Sequence, residues 1–114
     1  MPNIFKILDL ASFEELKSLR TFKGAAIDLK DGYIHFSTGE QVRETARLHF
    51  ARRTDLVLVA VSAESLGTAL KWEPSRGGQM FPHLYAPLGM TSVVWAKALP
   101  WTGSSHDFPP ETFV

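Results

Sequence analysis

The chain is predicted to fold as a single compact α+β domain over residues 1–114, and three features carry that prediction. Short runs rich in Ile, Val, Leu and Phe are spaced as strands. Only two segments have helical periodicity, so most of the sheet is antiparallel and joined by short connections. With 114 residues, 45% of them hydrophobic and 21% charged, the chain can bury one core and not two.

Ile4-Phe-Lys-Ile-Leu8 reads as the first strand. Ser12-Phe-Glu-Glu15 then matches a capping box, which predicts a helix over 12–20. Residues 24–32 read as a connection whose Asp31-Gly32 turn launches a second strand, Tyr33 to Ser37. Thr38-Gly-Glu-Gln41 is another helix start. Val42, Ala46 and Phe50 follow at a spacing of four, with Thr45 and His49 beside them, and the helix is expected to end near Arg52-Arg53.

Asp55 to Ser62 is apolar on both faces, the pattern of a central strand. A helical turn over 62–67 leads to a strand from Ala69 to Glu73, a loop over 74–79 and a short strand from Phe81 to Tyr85. Pro82 predicts an edge or a bulge for that strand. Thr91 to Leu99 is the last strand, and the tail over 100–114 is expected to be irregular and packed on the surface or over a sheet edge.

Composition narrows the function classes. Twelve basic and twelve acidic residues cancel, so the broad positive field of a general nucleic-acid coat is absent. No cysteine is present, which excludes disulfides, thiolate metal sites and a cysteine nucleophile. The longest apolar run, Leu56 to Val61, falls far short of the roughly 20 residues of a membrane helix. No basic region followed by a long apolar run opens the chain, and a cytoplasmic location is expected.

Two segments concentrate reactive side chains. In Tyr33-Ile-His-Phe-Ser37, alternation sends Ile34 and Phe36 to the core and His35 and Ser37 to a cleft. The helix that follows offers unpaired N–H groups near Thr38 and Gln41, a place for a phosphate or carboxylate. In Trp72-Glu-Pro-Ser-Arg-Gly-Gly-Gln-Met-Phe-Pro-His-Leu-Tyr85, Arg76 supplies an anion-binding fork, and Gly77-Gly78 allow close backbone approach. Glu73 and His83 can accept or deliver a proton, and Tyr85 can stack on a ring. The plainer alternative is a surface hairpin with an Arg76–Glu73 pair. Trp72, Trp95 and Trp101 are assigned to packing, and His106 to the solvent-exposed tail. No His-x-x-x-His pair or acidic loop appears, so no metal site is expected.

These segments, with Ile4-Phe-Lys-Ile, Gln41 and Thr45, resemble the small bacterial family catalogued as domain of unknown function 952, in the same order along nearly the whole chain. The resemblance implies a fold like that of ADP-ribosyltransferases, a split sheet with an NAD cleft. His35-Phe-Ser37 is similar to the His-Gly-Ser signature of poly(ADP-ribose) polymerases, with Phe36 in place of the glycine. It implies that His35 orients a ribose and Ser37 holds an amide or phosphate, with NAD or ADP-ribose as the ligand. RNA 2′-phosphotransferases share that fold. Thr91 to Leu99 carries no late-strand glutamate, and neither Glu73, which comes earlier, nor Glu111, in the tail, matches it. In the enzyme reading His35, Ser37 and Arg76 hold the ligand while Glu73 or His83 handles a proton. The expected function is a transferase-type enzyme acting on a nucleotide or ribose phosphate. The alternatives are a non-catalytic metabolite-binding module, or an interaction domain using Arg43, Arg47, Arg52 and Arg53.

Overall fold

In a computed structural model describing residues 3–114, two three-stranded antiparallel sheets and a two-stranded ribbon pack with three α-helices. Strand β1 (Asn3–Asp9) joins one helix, α1 (Leu10–Leu19), to the first sheet, where it pairs with β4 (Leu56–Ser62). On its other edge β4 pairs with β8 (Val93–Ala98), so it is central, as its two-sided apolar sequence predicts. Val57, Val59 and Val61 enter one core with Ile4 and Leu8; Leu58 and Ala60 enter a second with Phe5 and Ile7. The period of two in both strands is thus read by two cores, one on each face.

The second sheet places β6 (Met80–Leu84) between β3 (Ile34–His35) and β5 (Leu70–Pro74). The edge position expected from Pro82 is therefore corrected: its strand is central. Pairing between β3 and β6 stops at His35, and beyond it Phe36 N–H donates to the Pro82 carbonyl at 3.0 Å. The donor that proline lacks falls where the ladder ends, so a middle strand tolerates it. Tyr85 lies just past β6, not within it. A ribbon of β2 (Thr21–Phe22) and β7 (Leu88–Gly89) completes the strands. One antiparallel bridge joins the two larger sheets, Phe5 and Ser37 exchanging backbone hydrogen bonds of 2.8 and 2.9 Å.

The helices depart from expectation for local reasons. Asp9, not Ser12, caps α1: its carboxylate accepts from the Ser12 N–H at 2.8 Å, and the helix begins at Leu10. The connection expected over 24–32 contains a further helix, α2 (Ala26–Asp31). Asp28 reaches back to accept from the Ala25 N–H at 2.8 Å, and Gly32, at φ 87°, closes the far end by donating to the Asp28 carbonyl. Gly24 is needed at the entrance, where φ is 132° and a Cβ would lie 2.8 Å from that of Asp28.

The remaining helix, α3 (Val42–His49), is shorter than predicted at both ends. Gln41 Oε1 accepts from the Thr38 N–H at 3.1 Å, the reach-back its spacing suggests. At the other end Arg52 turns left-handed, φ 69°, and the helix cannot continue to it. The tail folds over α3 and the second core: Phe108 packs there, and the Arg43 guanidinium lies 4.2 Å from the Phe113 ring centroid. His106, expected in solvent, is buried with Nε2 3.0 Å from the Arg53 carbonyl oxygen. Trp72, expected in the core, is 46% exposed because β5 is an edge strand.

Candidate ligand site between the two sheets

Where the sheets diverge beyond the Phe5–Ser37 bridge, they leave a cavity of about 500 Å³ walled by β1, β3, β6 and α3. His35, Ser37, Arg76 and His83 all line it, joined by Lys6 and Thr45. Among the described residues no acidic side chain does.

His35 and His83 are directly paired across β3 and β6, with ring centroids 5.6 Å apart, yet their surroundings differ. His35 Nδ1 lies 2.7 Å from Asp28 Oδ1, and its Nε2 lies 2.9 Å from Asp31 Oδ2. Carboxylates offer only acceptors, so both ring nitrogens are engaged within the protein. Asp28 is the hub: 1% exposed, it also accepts from Lys6 Nζ at 3.0 Å and from the His35 backbone N–H at 3.1 Å. Burial pushes the Asp28 carboxyl up, but the His35 hydrogen bond, the Lys6 charge and the backbone donors together bring it down to about 2. For Lys6 burial is the larger effect and holds its ammonium below the usual lysine range, against the pull of Asp28.

His83, 2% exposed, has its Nδ1 2.8 Å from Glu73 Oε1, and the Tyr85 hydroxyl donates to the same oxygen at 2.8 Å. The His83 and Tyr85 hydrogen bonds hold the Glu73 carboxyl below the usual glutamate range. Glu73 is therefore an acceptor, and Nδ1 of His83 carries the proton in that contact. His83 Nε2 has no hydrogen-bond partner among the described residues, and the residue lines the cavity. Tyr33 fixes the ring plane from the side, stacked on His83 at 4.1 Å and 26°.

Arg76 enters from the β5–β6 turn, which Gly77 and Gly78 make at φ 68° and 78°. Its guanidinium lies 4.9 Å from the Phe81 ring centroid, and its terminal nitrogens come no closer than 3.5 Å to Thr45 Oγ1. None of the ion pairs among the described residues involves it. The Arg76–Glu73 pair of the plainer reading is not formed, because His83 and Tyr85 occupy Glu73. Ser37 Oγ lies 2.8 Å from Thr45 Oγ1, and Thr45 donates to the Gln41 carbonyl at 3.2 Å. Ser37 therefore donates to Thr45, and both hydroxyl protons are held inside the protein beside the guanidinium.

The other residues singled out lie elsewhere. Glu73 and Tyr85 stand behind His83, and Gly77 and Gly78 shape the turn. Thr38 and Gln41 open onto a second cavity of about 770 Å³, which shares Phe5 with the first. The Gln41 amide is occupied there, accepting from Thr38 and donating to the Met80 carbonyl at 2.9 Å. Glu40, Glu64, Glu111 and Trp72 line that second cavity, and among the described residues no Lys, Arg or His does. Sequence reasoning missed Lys6, Asp28 and Asp31. The one available signal was Lys6 itself, a charge inside an apolar strand that requires a buried acidic partner.

A small α+β domain with a basic cleft between two antiparallel sheets is the class these features define. The family model described as "Protein of unknown function (DUF952)" matches residues 7–96, and the chain belongs to that family. Among solved structures it is similar to the crystal structure of protein CC0527 from Caulobacter crescentus. That match has 43% identity and a TM-score of 0.92, covering 98% of this chain and 99% of that one. The solution NMR structure of CC0527 matches with 47% identity and a TM-score of 0.83, covering 93% and 91% of the two chains. No curated protein matches. Among the described residues no helix is long and apolar enough to cross a membrane.

Proposed function

We propose that the cavity between the sheets binds a nucleotide or ribose phosphate and that the protein is a small transferase-type enzyme acting on it. The observation that carries this reading is Arg76: a guanidinium without a carboxylate partner, facing the same cavity as Ser37, Thr45 and the His83–Glu73 pair. Arg76 holds the anionic end of the ligand, and the Ser37 and Thr45 hydroxyls beside it join by turning from their internal partners. His83 Nε2, backed by Glu73 through Nδ1, takes the proton of an acceptor hydroxyl. That oxygen bonds to the ribose anomeric carbon or to phosphorus, and the leaving group departs with the electron pair. His35, with both nitrogens engaged, positions the wall and does not exchange the proton.

Two antiparallel sheets that meet at a single bridge and part around a cleft support the ADP-ribosyltransferase-like reading of the fold. In that scheme Glu73 and His83 stand in for a late-strand glutamate, since β8 contains no acid. Three of the four arginines of the interaction-domain alternative are engaged within the chain, Arg47 with Glu44, Arg53 with Asp55 and Arg43 against Phe113. That leaves Arg52 alone exposed without an ion pair among the described residues.

A thermal-shift screen of the purified protein against NAD, ADP-ribose, nucleotides and ribose phosphates tests the reading, with Arg76→Ala as control. A ligand at a hundredfold its Kd adds about 2.7 kcal/mol, many degrees for a domain of this size. A shift lost in the variant is the expected result. Silence across the panel overturns the proposal.

A further inference from the structure

We infer that the cavity is built for a ligand with one phosphate and one ring, of the nucleoside monophosphate class, and not for a dinucleotide. The inference rests on the nucleotide reading above and narrows it. Arg76 is the one guanidinium or ammonium lining the cavity that lacks a carboxylate partner among the described residues; Lys6, the other, is held by Asp28 at 3.0 Å. One guanidinium outside any ion pair matches a single phosphate, with the Ser37 and Thr45 hydroxyls within reach once they turn from their internal partners.

A pyrophosphate calls for further positive charge. Beyond Arg76 and the engaged Lys6 and His35, the lining among the described residues offers only the imidazoles of His49 and His83, and both backbone sources are directed elsewhere. The glycine pair of the β5–β6 turn does not line the cavity, and the start of α3 opens onto the neighbouring one. The neighbouring cavity, across Phe5, is lined by Glu40 and Glu64, and by Glu111, whose charge is paired with Lys97. A second phosphate placed there would face the carboxylates of Glu40 and Glu64. The apolar part of the first cavity, with Phe36, Phe50 and Phe81 among its lining, suits a flat ring. Its volume of about 500 Å³ lies in the middle of the range, roughly 300–1,000 Å³, that encloses one drug-sized ligand.

Calorimetric titration of the full chain with AMP, adenosine, ribose 5-phosphate, ADP-ribose and NAD tests this inference. AMP is expected to bind at least tenfold more tightly than adenosine or ribose 5-phosphate, and ADP-ribose and NAD no more tightly than AMP. Arg76→Ala should reduce AMP to the affinity of adenosine, and Arg76→Gln, which keeps more of the side chain's packing, should do the same. If ADP-ribose or NAD binds tenfold more tightly than AMP, the single-phosphate inference falls while the nucleotide reading stands. If none of the five binds, both fall.

Discussion

The two cavities that share Phe5 have walls of opposite sign. The larger, about 770 Å³, is lined by Glu40, Glu64 and Glu111; the smaller, about 500 Å³, by Lys6, Arg76 and three histidines. Size alone would direct attention to the wrong one for an anionic ligand. Charge directs it to the smaller, where Arg76 makes no ion pair among the described residues, feeling Glu44 only at longer range, and where His83 is bonded to Glu73. The difference also shows how a neutral chain sorts its charges in space without any net excess.

The comparison breaks most severely at Asp28, the buried carboxylate behind the basic wall. Asp28→Ala leaves Lys6 buried without a partner and removes acceptors for Ala25 and His35; a loss of about 3–5 kcal/mol is expected, read as a drop of more than ten degrees in Tm. Lys6→Met, which keeps volume and leaves Asp28 its other donors, should cost clearly less. Arg76→Ala is expected to weaken AMP binding by tenfold or more with little change in Tm, since the side chain is half-buried and unpaired.

Acid should expose the same asymmetry. Asp28 titrates near 2 in the folded protein against an ordinary 3.8, so its contribution is complete above about pH 4 and is lost as pH falls toward 2. Asp28→Asn should lack that part of the slope in acid denaturation curves. Smaller still is Thr45→Val, which removes the hydroxyl beside Arg76 together with its bonds to Ser37 and the Gln41 carbonyl, and should weaken AMP binding by about 0.5–1.5 kcal/mol with a modest fall in Tm. Glu64→Lys, in the acidic cavity, should leave AMP affinity unchanged; a marked gain there would mean that the ligand crosses into it.

Much of the first sheet was legible because each face of β4 repeats apolar residues with a period of two, and nothing nearby competes with that signal. The second sheet was harder. β3 is two residues long, and Pro82 sits in the middle strand because the ladder beside it ends there. α2 stayed hidden between two glycines, since its cap is Asp28 reaching back from inside the helix and not a residue in front of it. His35, Ser37, Arg76 and His83 were singled out by residue type and spacing, and the structure places all four on one cavity. Thr38 and Gln41, adjacent in sequence, were separated from them because Ser37 is the bridge residue and the chain turns into the other cavity right after it. Asp28 could not be located without the fold, because its partners Lys6 and His35 come from different sheets.

The most direct test of the central claim is a backbone amide NMR titration of the isotope-labelled chain with AMP. Shift changes centred on Ser37, Thr45, Arg76 and His83, with Glu40 and Glu64 unmoved, are the predicted result. Changes centred on the acidic cavity, or none at saturating ligand, would contradict it.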